Sequence, residues 1–293
     1  MIATVVERIK DGASAAECIG LMRERYRRGD GSLRDEDVNL ASLSTQMCHI
    51  RKAAWADGLA IPEGFSLTSE ETHALKRQRV EAKIARQDHT LVIPDAARLL
   101  ESATHLLETA THATSMSRLI LALALVSGRR ITELTNGRST FIPVIGRPHH
   151  TVFHGQLKLK QRDAAPYTIP LLVSHTLFDH AMRILREKQG DVSTLTNEQC
   201  KDRYDGNANA ALHRGELVGM PTRGHVHSLR GVYVKLVALL WESPWEPNRL
   251  GMLILGHAAL EESIAYVGSI SVRGGDALRG TWGRLELLDV TEE

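Results

Sequence analysis

The stretch LILALALVSGRRITEL, residues 119–134, decides the fold of this chain more than any other segment. Its first eight residues are apolar on every side, which is typical of a helix buried within a core. The Ser-Gly pair that follows predicts the end of that helix. Arg129, Arg130 and Glu133 come directly afterwards. The sequence therefore places charged side chains immediately beside its most buried segment.

Segments on both sides of this stretch predict an α+β fold that is mainly α. Residues 1–88 are polar, with apolar residues at helical spacing, which indicates a helical domain. A break at Gln87–Pro94 marks a domain boundary, and residues 92–293 mix helical and β-like segments. Two β-like runs, Thr151–Lys160 and Tyr167–Val173, are separated by turn residues. They predict a small antiparallel hairpin in the second domain.

Composition excludes several classes of protein. The 293 residues are 43% hydrophobic and 24% charged, so the chain can bury a core and is not a disordered tail. Three dispersed cysteines exclude a disulfide scaffold and indicate a reducing compartment. Because no run reaches the roughly 20 apolar residues that span a bilayer, we expect a soluble cytoplasmic protein with no membrane partner. The net charge of +1 does not by itself indicate a nucleic-acid partner.

Candidate catalytic residues follow one another along the second domain. They are Arg130 with Glu133, Lys158 in the hairpin, His227 with Arg230, and His257 with Tyr266 nine residues later. Each alone has a structural explanation, such as a surface ion pair or a buried tyrosine. Together they form a set for phosphodiester transesterification. Guanidinium groups suit a phosphoryl transition state, a lysine or histidine can protonate the leaving oxygen, and an activated tyrosine can attack.

The order and spacing of these residues resemble the tyrosine recombinase (phage integrase) family, over about residues 92–267. The motifs are G-x-R-x-x-E-L, a hairpin lysine, H-x-x-R, L-G-H and the late tyrosine. Five stretches look most like telomere resolvases (protelomerases): Gly155–Lys158, Pro166–Leu172, Ser228–Val234, Ile254–His257 and Ser263–Tyr266. Those enzymes cut a palindromic junction on both strands and reseal each end as a hairpin. Two features depart from that branch: the histidine at position 227 and the short chain.

The resemblance implies a helical DNA-clamp domain at residues 1–88 and a catalytic domain with a small antiparallel sheet at residues 92–293. The catalytic set that it implies is Arg130, Lys158, His227, Arg230, His257 and Tyr266. In this family the tyrosine forms a 3′-phosphotyrosyl bond, the arginines clamp the phosphate, and the lysine protonates the leaving 5′ oxygen. The histidines contact the phosphate and assist proton transfer at the tyrosine. Lys160 is the alternative general acid. Glu133 supports the residues that contact the phosphate without contacting it itself. No metal or other cofactor is implied.

The implied partners are double-stranded DNA with inverted repeats and further copies of the chain, as a dimer or tetramer on that DNA. Candidate DNA contacts are Lys76, Arg77, Arg79, Lys83 and Lys160; their alternative interpretation is a solvated surface. Three other functions stay open at this point. They are a conventional integrase or resolvase that joins two duplexes, a catalytically silent DNA-binding relative, and a metallohydrolase that uses the histidines of residues 149–154 and 225–227.

Overall fold

The structure is a computed structural model that describes residues 1–24, 40–88, 90–157, 165–241, 245–257, 263 and 267–282. For residues 79, 80, 82–88 and 280–282 it describes the backbone alone. The chain divides into two compact units, Met1–Ala85 and Arg86–Glu293. Each unit is built around its own apolar cluster.

The N-terminal unit is helical in its described part. Its helices are α1 (Ile2–Lys10), α2 (Ala15–Glu24), α3 (Leu40–Ala56) and α4 (Ser69–Asp88). Their apolar residues recur every three or four positions, so each of α1, α2 and α3 turns one face inward. Val5, Cys18, Leu43 and Ile50 meet in the core of this unit. The helical character predicted from the sequence for this part of the chain is confirmed within the described residues.

Helices also make up most of the C-terminal unit. They are α5 (Ala96–Glu108), α6 (Met116–Ser127), α7 (Ile131–Thr135), α8 (His175–Gln189), α9 (Asn197–His213), a 3₁₀ helix (Val226–Ser228), α10 (Leu229–Leu240), α11 (Pro247–Leu255) and α12 (Gly275–Trp282). The central helix is α6, which is buried at every position from Leu119 to Ser127, as its apolar sequence predicts. It contacts α5, α8, α9 and α10. Because α6 is the middle of the core, the residues that follow it are held in place by the whole unit.

Two small sheets complete the C-terminal unit. The first is antiparallel and contains β2 (Thr140–Val144), β3 (Arg147–His154) and β4 (Tyr167–Pro170), in that order. Its β3–β4 pair confirms the predicted hairpin. The second sheet pairs β1 (Leu91–Ile93) with β5 (Ile270–Val272) in parallel. The α+β, mainly α fold predicted from the sequence is confirmed, with this parallel pair as an addition.

The sequence pattern did not indicate α9. Its 17 residues are mostly polar, so no broad apolar stripe announces a helix. Its buried side chains nevertheless recur at four-residue spacing, at Cys200, Tyr204, Ala208 and Leu212. A Thr196–Gln199 capping box starts the helix. None of the helices within the described residues is both long enough and apolar enough to cross a bilayer.

Candidate active site

The turn between α6 and α7 brings the two candidate phosphate-binding arginines together. Gly128 ends α6 at a φ of 65°, in the left-handed region that glycine adopts without strain. The ring of Tyr233 from α10 packs where a Cβ at this glycine would stand. The Gly128 carbonyl accepts a hydrogen bond of 2.7 Å from Nη1 of Arg230. This close packing sets the first turn of α10 against the start of α7, where Arg130 lies.

Glu133 is the buried centre of the site, with 1% of its surface exposed. Its Oε1 accepts from Arg130 Nη1 at 2.7 Å, and its Oε2 accepts from the Arg130 backbone N–H at 2.9 Å. The same Oε2 lies 3.6 Å from Nη1 of Arg230. Burial raises the pKa of Glu133, but Arg129, Arg230 and Arg130 outweigh it and hold the pKa below its usual value. The carboxylate therefore stays charged and fixes the two arginines.

His257 lies against Arg230 at the end of α11. Its Nε2 is 3.3 Å from Nη2 of Arg230, and its Nδ1 is 2.9 Å from Oγ of Ser263. Burial, followed by the charges of Arg230, Arg130 and Arg129, lowers the pKa of His257 to about 3. The ring is therefore neutral near pH 7. Since a guanidinium only donates, Nε2 is the acceptor and the ring proton sits on Nδ1, facing Ser263.

Gly256 gives the L-G-H motif its shape for two reasons. Its φ of 64° ends α11 in the left-handed region. A Cβ at this position would also overlap the amide of Gln156 and the hydroxyl of Tyr167. The motif glycine therefore allows β4 and the segment after β3 to approach the turn that carries His257.

Arg129 differs from its neighbour Arg130 in being a structural connector. It is 1% exposed, and its guanidinium lies 4.8 Å above the ring of Phe153. Its nitrogens donate to the carbonyl of Ser127 at 3.2 Å, to the hydroxyl of Tyr167 at 2.6 Å and to the carbonyl of Ile254 at 2.6 Å. One side chain thus joins the end of α6, strand β4 and the end of α11. A cation also suits the last carbonyls of α11.

A cavity of about 350 Å³ opens beside these residues. Its lining includes Arg129, Arg130, Leu157, His227 and Arg230, together with Asn197, Glu198, Lys201 and Asp205 of α9. His227 is exposed, whereas His257 is buried. The 3₁₀ helix that carries His227 is held by α9, since Asn209 Oδ1 accepts from the Val226 N–H at 3.0 Å. The cavity lining thus combines guanidinium and imidazole groups.

The structure brings five of the sequence-predicted residues together: Arg130, Glu133, His227, Arg230 and His257. Lys158, Lys160 and Tyr266 lie outside the described residues. Lys76 and Arg77 are exposed on α4, in the other unit, and the side chains of Arg79 and Lys83 are outside the description.

Sequence reasoning assigned no role to Arg129, Gln156 or the α9 wall of the cavity. Only Gln156 carried a signal, because it stands within a stretch that the resemblance had singled out. Within the described part of the chain, no group of three or more His, Cys, Asp and Glu side chains could hold a metal ion.

Several solved structures share this fold. A variant of protelomerase TelA covalently complexed with substrate DNA has a TM-score of 0.72 and 17% identity, covering 96% of this chain and 92% of that chain. Another such TelA variant has a TM-score of 0.69 and 16% identity, covering 97% and 99%. Protelomerase TelK complexed with substrate DNA has a TM-score of 0.59 and 15% identity, covering 92% of this chain and 58% of that chain. At these identities the likeness establishes the fold.

No curated protein sequence matches the chain. A family model does match, and it describes the telomere resolvase ResT/TelK catalytic domain over residues 90–267. That match covers more than half of the chain and includes every candidate catalytic residue from Arg130 to Tyr266. The chain therefore belongs to the telomere resolvase family of DNA breaking-and-rejoining enzymes.

Proposed function

We propose that this chain cleaves both strands of a DNA duplex at an inverted repeat and rejoins each end as a hairpin. The observation that carries the proposal is the cavity shared by Arg130, Arg230 and His227, with Glu133 fixing both guanidinium groups. Guanidinium groups at hydrogen-bond distance can stabilise the charge of a phosphoryl transition state without a metal ion. Nε of Arg130 is a further buried donor with no partner among the described residues.

The first step is a transesterification at the scissile phosphate. The phenolic oxygen of Tyr266 attacks phosphorus, the bond from phosphorus to the 5′ oxygen breaks, and a 3′-phosphotyrosyl bond forms. The phenolic proton passes to a base or to solvent, and Lys158 donates a proton to the leaving 5′ oxygen. His227 lies beside the phosphate, and His257 holds the guanidinium of Arg230 through its neutral Nε2.

The second step reverses the first with a different nucleophile. A 5′-hydroxyl attacks the phosphotyrosyl phosphorus, and the phenolic oxygen of Tyr266 leaves and regains a proton. When that hydroxyl belongs to the opposite strand of the same duplex, the product is a closed hairpin. The energy of the broken phosphodiester bond is kept in the phosphotyrosyl bond, so no nucleotide cofactor is needed.

DNA is the partner, and we assign two further features of its binding. Two protomers assemble on an inverted repeat, one for each strand to be cut. The N-terminal unit clamps the duplex, with Lys76 and Arg77 of α4 at the phosphates. Exposed cations on one helix can contact a DNA backbone without reading its sequence. Light scattering of the chain on one inverted-repeat duplex tests the assembly, and the expected mass of the complex is that of two protomers plus one duplex.

A labelled inverted-repeat duplex tests the proposed reaction. Each expected product is a hairpin with half the base pairs of the substrate, made of one continuous strand as long as a substrate strand. On a denaturing gel this strand snaps back and migrates as a folded full-length strand. Exchange between two different duplexes would instead indicate a conventional recombinase, and binding without any product would indicate a silent relative. Tyr266→Phe removes the attacking oxygen, so it is expected to bind DNA but to form no covalent adduct. An adduct with that variant would overturn the assignment of Tyr266.

A further inference from the structure

Gln156 connects two catalytic segments that are far apart in the sequence. Its Nε2 donates hydrogen bonds to the Gly256 carbonyl and, at 3.4 Å, to the Leu255 carbonyl. These carbonyls end α11 directly before His257, and they lie about 100 residues along the chain from Gln156. Gln156 itself stands two residues before Lys158. One amide therefore joins the turn that carries His257 to the chain that leads into Lys158.

The segment 155–157 is held at each of its three residues. The Gly155 carbonyl accepts from Oγ of Ser139 at 3.4 Å. The Leu157 N–H donates to Oε1 of Glu133 at 3.1 Å, and the Leu157 carbonyl accepts from Nη1 of Arg130 at 3.2 Å. Since each residue has only two soft backbone dihedrals, anchoring three in a row fixes the position of residue 157. Of these anchors, the Gln156 amide is the one that reaches the turn of His257.

We propose that Gln156 is a positioning residue that sets where the chain delivers Lys158 relative to the two arginines and His257. The inference rests on the proposed function, in which Lys158 protonates the leaving 5′ oxygen. The turn of His257 keeps other supports when Gln156 is changed. Nη2 of Arg129 still donates to the Ile254 carbonyl, and the His257 N–H still donates to the Met252 carbonyl at 2.9 Å. Leu157 likewise keeps its bonds to Glu133 and Arg130, so loss of the amide removes specifically the link that sets this segment relative to the turn of His257.

The site selects an amide of this size. Gly256 leaves the space that the Gln156 side chain fills, and the two acceptors are carbonyls at the negative end of a helix. A carboxylate has the same shape but no donor, and its charge would face those carbonyl oxygens. Gln156→Glu is therefore the sharpest variant. Gln156→Ala removes the donor without adding charge. Asn207→Asp is the matched control, because it makes the same amide-to-carboxylate change at an exposed position of α9.

The test compares two cleavage substrates under single-turnover conditions, with the covalent adduct as the readout. One carries the natural 5′-bridging oxygen at the scissile phosphate, and the other carries sulfur there. A thiolate leaves without a proton, so the sulfur substrate does not need a general acid. We expect Gln156→Glu to cleave the oxygen substrate roughly 10- to 100-fold more slowly than the wild type, because a displaced acid loses that much rate. On the sulfur substrate its rate should be within about threefold of the wild type, since no acid is needed there.

Gln156→Ala should show the same pattern, which removes any concern that the added charge unfolds the chain. Lys158→Ala should also recover on sulfur, and Asn207→Asp should match the wild type on both substrates. The positioning role is overturned, while the proposed function stands, if the wild type cleaves and both Gln156 variants show one of two results. Either their loss of rate relative to the wild type is the same on the oxygen and the sulfur substrate, or they cleave both substrates as fast as the wild type. If the wild type forms no adduct on either substrate, the proposed function itself fails, and the inference fails with it.

Discussion

Two groups of charged residues in this chain have different surroundings. The first region is the buried charge cluster, defined as Arg129, Arg130, Glu133 and Arg230. Its side chains are between 0% and 13% exposed where they pair with Glu133. The second region is the α4 charge row, defined as Glu70, Glu71, Lys76 and Arg77, in which all but the partly buried Glu71 are exposed.

Burial decides what each charge contributes. Inside the C-terminal unit, little water screens the attraction between a carboxylate and three guanidinium groups, so removal of one partner leaves the others uncompensated. On the surface of α4, water and salt screen each charge, so its loss changes little within the folded chain. The same residue types therefore support structure and catalysis in one region, and in the other they can only attract a charged partner. The predictions below test this difference, from the largest expected effect to the smallest.

Arg230→Lys should cause the largest loss of activity. A lysine cannot bond the Gly128 carbonyl and also present a planar fork to the phosphate, so transition-state stabilisation is lost. We expect adduct formation at saturating DNA to fall by about 100- to 1000-fold, the usual effect of removing one such donor. DNA affinity should stay within a few-fold of the wild type. A rate loss smaller than about tenfold would contradict the phosphate-clamping role.

Glu133→Gln should cause the largest loss of stability. It leaves the three arginines of the cluster without their carboxylate, and breaking a buried ion pair in this way costs about 3–5 kcal/mol. The matched control is Glu71→Gln, whose pair with Arg23 is partly exposed and should cost less than about 1 kcal/mol. Urea denaturation measures both values. Equal losses for the two variants would show that burial does not separate the two regions.

Acid should weaken the folded chain through His257. Its pKa is about 3 in the folded chain, whereas an unfolded histidine titrates near about 6.5. Below about pH 6.5 the unfolded state therefore binds a proton at this histidine and the folded state does not. The free energy of unfolding consequently falls as the pH is lowered further. Between about pH 6 and pH 5, His257→Gln should reduce the slope of unfolding free energy against pH by about 1.4 kcal/mol per pH unit. An unchanged slope would mean that the folded His257 takes up a proton in this range.

Changes on α4 should have the smallest effect. Lys76→Ala and Arg77→Ala should each lower the slope of log affinity against log salt by about one, because each phosphate contact releases about one counterion. The cleavage rate at saturating DNA should not change. A gel-shift titration over several salt concentrations measures the slope. A loss of cleavage rate with unchanged affinity would contradict the DNA-clamp role and the contrast with the buried cluster.

Much of the fold was predictable because strong local patterns agree with it. The apolar run of α6 and the alternating residues of β3 and β4 form the elements that their periods indicate. Two features that the sequence analysis did not predict lack such patterns. Helix α9 is mostly polar, and its packing rests on a narrow row of buried residues. The β1–β5 pair joins Leu91 to Ile270, and no local pattern specifies a pairing between such distant residues.

The candidate site shows the same division. Motif order indicated Arg130, His227, Arg230 and His257, and the structure brings them to one place around Glu133. It could not indicate that Arg129 would be the buried connector while the adjacent Arg130 pairs with Glu133 and keeps 13% of its side chain exposed. Neighbouring residues with identical side chains have identical local propensities. Only the packing of Phe153 and Tyr167 around one of them separates their roles.

The sequence by itself determined the mainly helical fold class, the order of the catalytic motifs and the family, because these depend on residue identity and spacing along the chain. The tertiary structure decided which charges are buried, the tautomer of His257 and the link from Gln156 to the end of α11. Those properties arise from contacts between distant segments in a low-dielectric interior. Such contacts exist only after the whole C-terminal unit has packed, so no stretch of sequence carries them alone.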